Sequence, residues 1–175
     1  MADDRELWER ICRGDTRAFG GFYQENVSRL NGFLWQLLGN MQTAEDVAQE
    51  TFLELWRQPN GFNPKSGSLR AYLFGIGRKR SAEWWRQHKP SVDEQATEKR
   101  ECKTETVSLV GDAFSRLGSD EQALLWLREV EGQSYAELAE ILDIPVGTVK
   151  SRLFTAREEL RRIWHSGRPE KEVGL

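Results

Sequence analysis

Apolar residues recur three or four positions apart along most of the chain, which is the spacing of one face of an α-helix. Strict alternation of apolar and polar residues, the pattern of a half-buried β-strand, is missing from the sequence. In the first half, the spacing predicts a helix through Leu7 and Ile11 and further helices over residues 15–38, 43–58 and 68–87. The pattern therefore indicates an all-α fold.

The helical spacing stops in a polar segment after the fourth predicted helix. Residues 88–106 are nearly free of large apolar side chains, so this segment cannot bury enough surface to fold by itself. Helical spacing returns over residues 107–117, 119–131 and 134–142 and again from residue 146. We therefore expect two small helical domains, with residues 1–87 as a four-helix domain, 88–106 as a flexible linker, 107–166 as a second domain and 167–175 as a C-terminal tail.

Short polar residues mark where several of these helices begin. Asp15 is placed to cap the second helix, and Gly39 is placed to end it, because glycine readily adopts the left-handed backbone conformation. Three pairs have the spacing of a capping box, in which a cap residue is followed three positions later by an acid or amide: Thr43 with Asp46, Ser119 with Gln122, and Ser134 with Glu137. These pairs predict the starts of three helices.

Composition and charge exclude several classes of protein. The chain has 175 residues, of which 38% are hydrophobic and 30% charged, and its net charge is −3. These values are typical of a globular protein. The N-terminus is acidic and no apolar run follows it, so we expect neither a signal peptide nor a membrane span, and we expect a cytoplasmic location.

The residue types that usually carry catalysis or bind metals are scattered. Cys12 and Cys102 lie far apart, and His88 and His165 are equally isolated, so the sequence predicts no disulfide framework and no metal site. No Ser–His–Asp grouping occurs, and the glycines within residues 75–77 lie in a helical pattern rather than after a strand, which argues against a nucleotide-binding loop. We therefore predict that the protein is not an enzyme and needs no cofactor.

The most specific motif lies near the C-terminus and has the spacing of a helix–turn–helix. Pro145 cannot sit deep in a helix and so fixes a turn before Val146, while the small Ala139 allows two helices to approach closely. The space between these helices would be filled by apolar residues, namely Leu138, Leu142, Ile144, Val149 and Leu153. The second helix then exposes small and polar residues near its N-terminus, as a DNA-recognition helix does, and carries five cations against two carboxylates.

A second segment, residues 70–86, combines cations with aromatic residues. Five Arg and Lys residues outnumber a single Glu, and four aromatic residues are interleaved with them. Cations attract phosphates and aromatic rings stack on unpaired bases, which is the combination that single-stranded or melting DNA requires. Considered alone, the segment fits equally well a helix whose aromatic residues pack in the core and whose cations are solvated.

A third segment presents an acidic face on the third predicted helix. Its polar members are Glu45, Asp46, Gln49, Glu50 and Glu54. An acidic face repels DNA, so a functional interpretation predicts a protein partner. A solvated helix face is the simpler interpretation when this segment is considered alone.

The order of these features resembles the extracytoplasmic-function (ECF) group of the sigma-70 family of RNA polymerase sigma factors. Residues 44–57 resemble region 2.2 of that family, residues 62–85 resemble regions 2.3 and 2.4, and residues 117–162 resemble region 4. The resemblance extends over most of the chain, from about residue 7 to residue 164. It implies a protein that binds the RNA polymerase core and directs transcription initiation, reading the −10 promoter element with region 2 and the −35 element with region 4.

The resemblance also implies roles for individual residues. The core-polymerase-binding surface would contain or rest on Asp46, Gln49, Glu50, Phe52, Leu55 and Trp56. The −10 DNA surface would be lined or supported by Phe62, Lys65, Ser66, Ser68, Arg70, Tyr72, Arg78, Lys79, Arg80, Trp84 and Arg86. The −35 element would be faced by Thr148, Lys150, Ser151, Arg152, Phe154, Thr155 and Arg157.

The partners that the resemblance implies are the polymerase core, through its β′ clamp helices and β flap, promoter DNA and an anti-sigma factor. A stand-alone helix–turn–helix regulator is the main alternative, although such proteins usually dimerise and no dimerisation helix is evident. A small enzyme with an appended DNA-binding domain is a second alternative, against which the missing catalytic residues argue. Lys79 stands where members often have Asn, and Thr155 where many have a basic residue, so the resemblance does not imply a particular promoter sequence.

Overall fold

A computed structural model describes residues 4–58, 61–65, 67–88 and 111–166 of the chain. These residues form helices, turns and loops without a strand, so the prediction of an all-α fold is confirmed. The N-terminal unit consists of α1 (Asp4–Cys12), α2 (Thr16–Leu38), α3 (Met41–Arg57) and α4 (Leu69–Gln87). In the C-terminal unit, residues 111–115 are helical and are followed by α5 (Ser119–Leu125), a π-helical continuation (Trp126–Val130), α6 (Tyr135–Leu142) and α7 (Val146–Ser166).

The boundaries of α2 are those that the sequence predicts. The carboxylate of Asp15 accepts hydrogen bonds from the backbone N–H groups of Arg17 and Ala18, each at 3.0 Å. The bond from Ala18, together with one from the Arg10 side chain, holds the pKa of Asp15 below its ordinary value. Gly39 ends the helix with a φ of 74°, a left-handed conformation that glycine adopts without a steric penalty.

Two of the three predicted capping boxes are wrong. Asn40 caps α3, because its side-chain oxygen accepts the N–H of Thr43 at 2.9 Å, and the helix therefore begins at Met41. No side chain caps α5, and the Gln122 amide instead donates to the carbonyl of Leu117 at 2.8 Å, closing the preceding turn. The third box, Ser134 with Glu137, is confirmed.

The N-terminal core lies between α2, α3 and α4. Phe33 of α2 and Phe74 of α4 are fully buried, with their ring centroids 5.2 Å apart. Full burial of a side chain of this size stabilises a fold by about 1.5–3 kcal/mol. Gly77 allows α4 to approach α2, since a Cβ atom at this position would lie 3.0 Å from Cδ1 of Leu30.

The C-terminal unit builds its own core from α5, α6 and α7. Leu127, Leu138 and Val149 are fully buried where these helices meet. The unit also packs directly on the N-terminal unit, with α6 against α4 and α5 against α2. A Cβ atom at Gly75 of α4 would lie 3.7 Å from Cα of Ile141, so the two backbones are close together at that point. None of the helices described is long and apolar enough to cross a membrane.

We expect two glycine-to-leucine substitutions to have opposite effects on stability. Gly77→Leu places a large side chain between α4 and α2, and overpacking of this kind costs about 1–3 kcal/mol. Gly21→Leu, on an exposed part of α2 with no atom within 4 Å of its Cβ position, should stabilise the protein by up to about 0.8 kcal/mol through helix propensity. Urea unfolding of both variants measures the difference, and equal changes would contradict the packing described for Gly77.

Candidate nucleic-acid interface

The helix–turn–helix predicted near the C-terminus is formed by α6 and α7. Ser134 and Glu137 make a reciprocal cap at the start of α6, with bonds of 3.2 Å and 2.8 Å between side chains and backbone. Asp143 ends α6 with a φ of 54°, a left-handed conformation that aspartate tolerates better than most residues. Pro145 then precedes α7, and its carbonyl accepts the N–H of Val149. The turn is thus fixed by local bonds on both sides.

The outer face of α7 carries the residues predicted to meet the −35 element. Phe154 is 67% exposed, which is unusual for an aromatic residue. The Ser151 hydroxyl donates to the carbonyl of Thr148, and the Thr155 hydroxyl donates to that of Ser151, so their oxygens remain able to accept from DNA bases. Lys150 is exposed, with its ammonium 6.0 Å from the centre of the Tyr135 ring.

The two arginines predicted to flank that face differ in their surroundings. Arg152 is exposed on α7. Arg157 is bound to Glu129, with 2.6 Å between Nη2 and Oε1, and this hydrogen bond raises the pKa of Arg157 above its ordinary value. Arg157 therefore needs to exchange a carboxylate for a phosphate before it can contact DNA.

The loop before α4, residues 62–68, contains four of the residues predicted to form the −10 surface, namely Phe62, Lys65, Ser66 and Ser68. Lys65 is exposed, and its backbone N–H donates to the side-chain oxygen of Asn63 at 3.0 Å. Ser68 caps α4 by accepting the N–H of Ala71 at 3.1 Å. Ser66 lies outside the described residues. Phe62 is only 8% exposed, so its ring supports the loop from within the fold.

The cations of α4 divide between three environments. Arg70 and Arg78 are half-buried and turn toward the C-terminal unit. Arg80 binds two carboxylates of α3, with 2.7 Å to Glu50 and 2.7 Å to Glu54. The remaining two, Lys79 and Arg86, are exposed. The basic segment is therefore not one continuous surface.

The aromatic residues of α4 are also held by neighbours. Trp84 stacks on His88, with 4.4 Å between ring centroids, and Trp85 donates its indole N–H to the carbonyl of Leu37 at 3.0 Å. Tyr72 is half-buried, and burial, followed by the negative charge of Glu54, raises the pKa of its hydroxyl. These contacts give the aromatic rings fixed positions.

The acidic face of α3 contains three of the six residues predicted to bind the polymerase core. Asp46, Gln49 and Glu50 are exposed. The other three are apolar and lie inward, with Phe52 3% exposed, Leu55 fully buried and Trp56 half-buried against Phe19. Phe52 and Leu55 can only support the surface from within, whereas part of the Trp56 ring remains exposed.

Sequence reasoning missed one residue on this face. Leu53 is 47% exposed and lies beside Glu50 and Glu54 on the same helix. A large apolar side chain in water is common on its own, but this one sits within a polar face proposed to meet another protein. The signal available in the sequence was a leucine three positions after Glu50 that falls outside the buried spacing of α3.

Two acidic residues of the C-terminal unit, Glu131 and Asp120, contact arginines of the N-terminal unit. Arg29 approaches Glu131 at 3.5 Å, and the Glu131 side chain is only 3% exposed. Arg78 approaches Asp120 at 3.5 Å. Arg70 also donates to the backbone carbonyl of Glu131, at 3.4 Å. In this conformation, Arg70 and Arg78 of α4 are both engaged by groups of the C-terminal unit.

Glu137 links the two units through Ser68, whose hydroxyl donates to its carboxylate at 2.5 Å. Burial by itself would raise the pKa of Glu137, but hydrogen bonds from Ser68 and Ser134 hold it below the ordinary value. The folded-state pKa is thus the lower one, so this contribution to stability is present above the ordinary carboxyl pKa. It is lost as the pH falls through the folded-state value.

Two segments of the chain match sequence profiles of known protein regions. Residues 22–90 match Sigma-70 region 2, and residues 108–160 match Sigma-70, region 4. The RNA polymerase sigma-H factor of Pseudomonas aeruginosa is 30% identical over 90% of this chain and 91% of its own length. The ECF RNA polymerase sigma factor SigL of Mycobacterium tuberculosis is 33% identical over 79% of this chain and 84% of its own.

Solved structures share the fold. The structure of CnrH in complex with the cytosolic domain of CnrY matches with a TM-score of 0.76 over 95% of this chain and 99% of that chain, at 23% identity. The sigma factor RpoE in complex with the anti-sigma factor NepR from Bartonella quintana matches with a TM-score of 0.65 over 85% of this chain and 99% of that chain, at 24% identity.

The helix–turn–helix and the two matched sigma-70 regions define a helical DNA-binding protein of transcription initiation. With the sequence relatives, they lead to one assignment: the chain belongs to the sigma-70 family of RNA polymerase sigma factors, within its ECF group. The resemblance stated from the sequence is therefore confirmed. The relatives named above are sigma factors, which act in transcription initiation and are not known enzymes.

We expect Gly75→Gln to separate the two units while leaving each of them folded. A Cβ atom at Gly75 would already contact Cα of Ile141 at 3.7 Å, so we expect the longer glutamine side chain to press α6 away from α4. Small-angle scattering should show a larger radius of gyration for this variant than for Gly21→Gln, its exposed helical control. Unchanged radii with unchanged helicity would contradict the close approach of α4 and α6.

Proposed function

We propose that this chain directs the RNA polymerase core to promoters through three separate surfaces. Residues 1–87 form the region 2 domain, 88–106 a linker, 107–166 the region 4 domain and 167–175 a tail. The observation that carries the proposal is the outer face of α7, where polar, aromatic and cationic side chains are exposed on a helix whose inner face is buried. Such a face fits the major groove of a −35 element.

We assign core binding to the acidic face of α3, meaning Asp46, Gln49 and Glu50 together with the exposed Leu53. Carboxylates repel DNA and favour a basic protein surface, for which the β′ clamp helices are the proposed partner. A cleft of about 330 Å³ between α3 and α4 adjoins this face, with Asp46 and Glu50 on one wall and Glu83 and Trp84 on the other. The C-terminal unit is proposed to contact the β flap.

The −10 element is proposed to meet the loop before α4 and the cations of that helix. Lys65, Lys79 and Arg86 are exposed and can attract phosphates directly. Arg70 and Arg78 are engaged by the C-terminal unit and can reach DNA only after those contacts break. We therefore propose that the two units separate when the −10 and −35 elements are bound together.

An anti-sigma factor is the proposed regulator, and the cytoplasm the proposed location. The support for an anti-sigma factor is a relative in fold, the sigma factor RpoE, whose structure was solved with the anti-sigma factor NepR. The protein is proposed to act by binding alone, without catalysis. The alternative, a stand-alone helix–turn–helix regulator, is favoured if the purified chain protects a promoter tightly in footprinting without any polymerase present.

We expect the double variant Asp46→Arg, Glu50→Arg to lose core binding while it keeps its fold. Charge reversal replaces attraction with repulsion at the proposed surface, and exposed ion pairs such as Glu50 with Arg80 contribute only about 0–1 kcal/mol to stability. Co-purification with the core and a thermal unfolding midpoint measure both properties. The control is Glu25→Arg, Asp112→Arg, which changes net charge equally at exposed positions elsewhere. Equal core binding by both double variants would overturn the placement of this surface.

We expect Lys150→Ala to weaken binding to the −35 element selectively. Loss of a contact to a base edge costs about 1–3 kcal/mol of discrimination against the wrong base. The measurement compares holoenzyme affinity for the preferred −35 sequence with its affinity for single-base variants. Arg161→Ala is the control, because Arg161 is exposed on the same helix and bound to Glu158 at 2.6 Å. A loss for Lys150→Ala that is equal on all sequences would make Lys150 a phosphate contact instead.

A further inference from the structure

Helix α1 contributes to none of the three proposed surfaces, yet its side chains reach the loop before α4. Trp8 is 5% exposed, and its ring lies edge-on to Phe62 with 5.7 Å between centroids. It also meets Tyr72 at 6.4 Å, and Phe62 and Tyr72 lie 5.7 Å from each other. The three rings form a closed aromatic cluster at the start of the loop.

The same helix contacts the far end of the loop. The carboxylate of Asp4 accepts the backbone N–H of Leu69 at 2.8 Å, across 65 residues of sequence. Leu69 is the first residue of α4, whose leading N–H groups have no partner within the helix. Ser68 satisfies the N–H of Ala71, so α4 is capped by one side chain of its own and one from α1. A carboxylate at this position also interacts favourably with the helix dipole.

The loop is therefore held at two points, by Trp8 at Phe62 and by Asp4 at Leu69. Gly61 fits this arrangement, because a Cβ atom there would overlap the hydroxyl of Tyr72. Between the two anchors, Lys65 is exposed on the turn that Asn63 closes. Both anchors come from one helix, so they fix the positions of Phe62 and Leu69 relative to each other.

We propose that Asp4 and Trp8 are positioning residues for recognition of the −10 element. They act without touching DNA, by holding the two ends of the loop in the positions from which it meets the bases of the −10 element. The inference rests on the proposed function, in which this loop meets the −10 element. It assigns to α1 a role in base selectivity that is separate from core binding and from the −35 contact.

The test uses holoenzyme assembled from purified core and the full chain. Its probes are single-stranded oligonucleotides that carry the −10 sequence preferred by wild type, or one alternative base at a time. Asp4→Ala should reduce discrimination between preferred and alternative bases by about tenfold, the size expected when one charge-assisted hydrogen bond is lost. Asp4→Asn should recover most of the discrimination, since an amide oxygen can still accept the N–H of Leu69.

Four further measurements separate positioning from general stability. Glu6→Ala, on the exposed side of the same helix, should leave discrimination at the wild-type level. Core affinity and −35 affinity should be unchanged in every variant, because those surfaces lie on other helices. Hydrogen exchange of the Leu69 amide should be faster in Asp4→Ala than in Asp4→Asn. Trp8→Phe, which keeps a smaller ring in the cluster, should show a partial loss of discrimination with wild-type core affinity.

Unchanged discrimination in both Asp4→Ala and Trp8→Phe would overturn the proposal. It would equally be overturned if Asp4→Ala weakened core, −35 and −10 binding together, since that pattern indicates a structural role alone. Failure of the proposed function gives a different result, because the wild-type holoenzyme would then show no preference among −10 oligonucleotides.

Discussion

The buried contacts of α4 determine where the candidate surfaces lie. Leu73 and Phe74 are fully buried, which fixes the rotation of the helix about its axis. That rotation points Arg78 and Arg80 at different neighbours and leaves Lys79 between them exposed. Each buried side chain of this size contributes about 1.5–3 kcal/mol, whereas an exposed ion pair contributes about 0–1 kcal/mol. Packing therefore sets the geometry, and the charged groups pair with whatever that geometry brings within reach.

These pairings help to explain why a protein with a net charge of −3 also carries clusters of cations. Glu131 and Asp120 of the C-terminal unit pair with Arg29 of α2 and Arg78 of α4, so the chain satisfies two of its own cations in this conformation. Glu137 shows how closely the two units are joined, because one carboxylate both caps α6 and accepts a bond from Ser68. The pair of Arg78 with the exposed Asp120 is weak and screened by salt, so a polyanion can displace it. The Glu131 side chain is buried, so breaking its pair with Arg29 is more costly.

Local signals in the sequence were sufficient for the helix–turn–helix, because the capping box at Ser134 and the proline at 145 act through neighbouring residues. They were misleading at Thr43, since Asn40 is an equally good cap three positions earlier and Gly39 leaves it in an extended conformation. The pairing of Arg80 with α3 and the burial of Phe62 depend on tertiary packing, so residue spacing could not reveal them. The contact of Asp4 with Leu69 joins segments too distant in sequence for any local pattern to indicate.

Run-off transcription with purified core polymerase tests the central claim most directly. A template library with randomised −35 and −10 positions would be transcribed with and without the full chain, and the start sites of the products would be sequenced. We expect transcripts from defined start sites, with conserved sequence at both upstream positions, only when the chain is present. Transcription that is independent of the chain, or start sites without an upstream preference, would contradict the account.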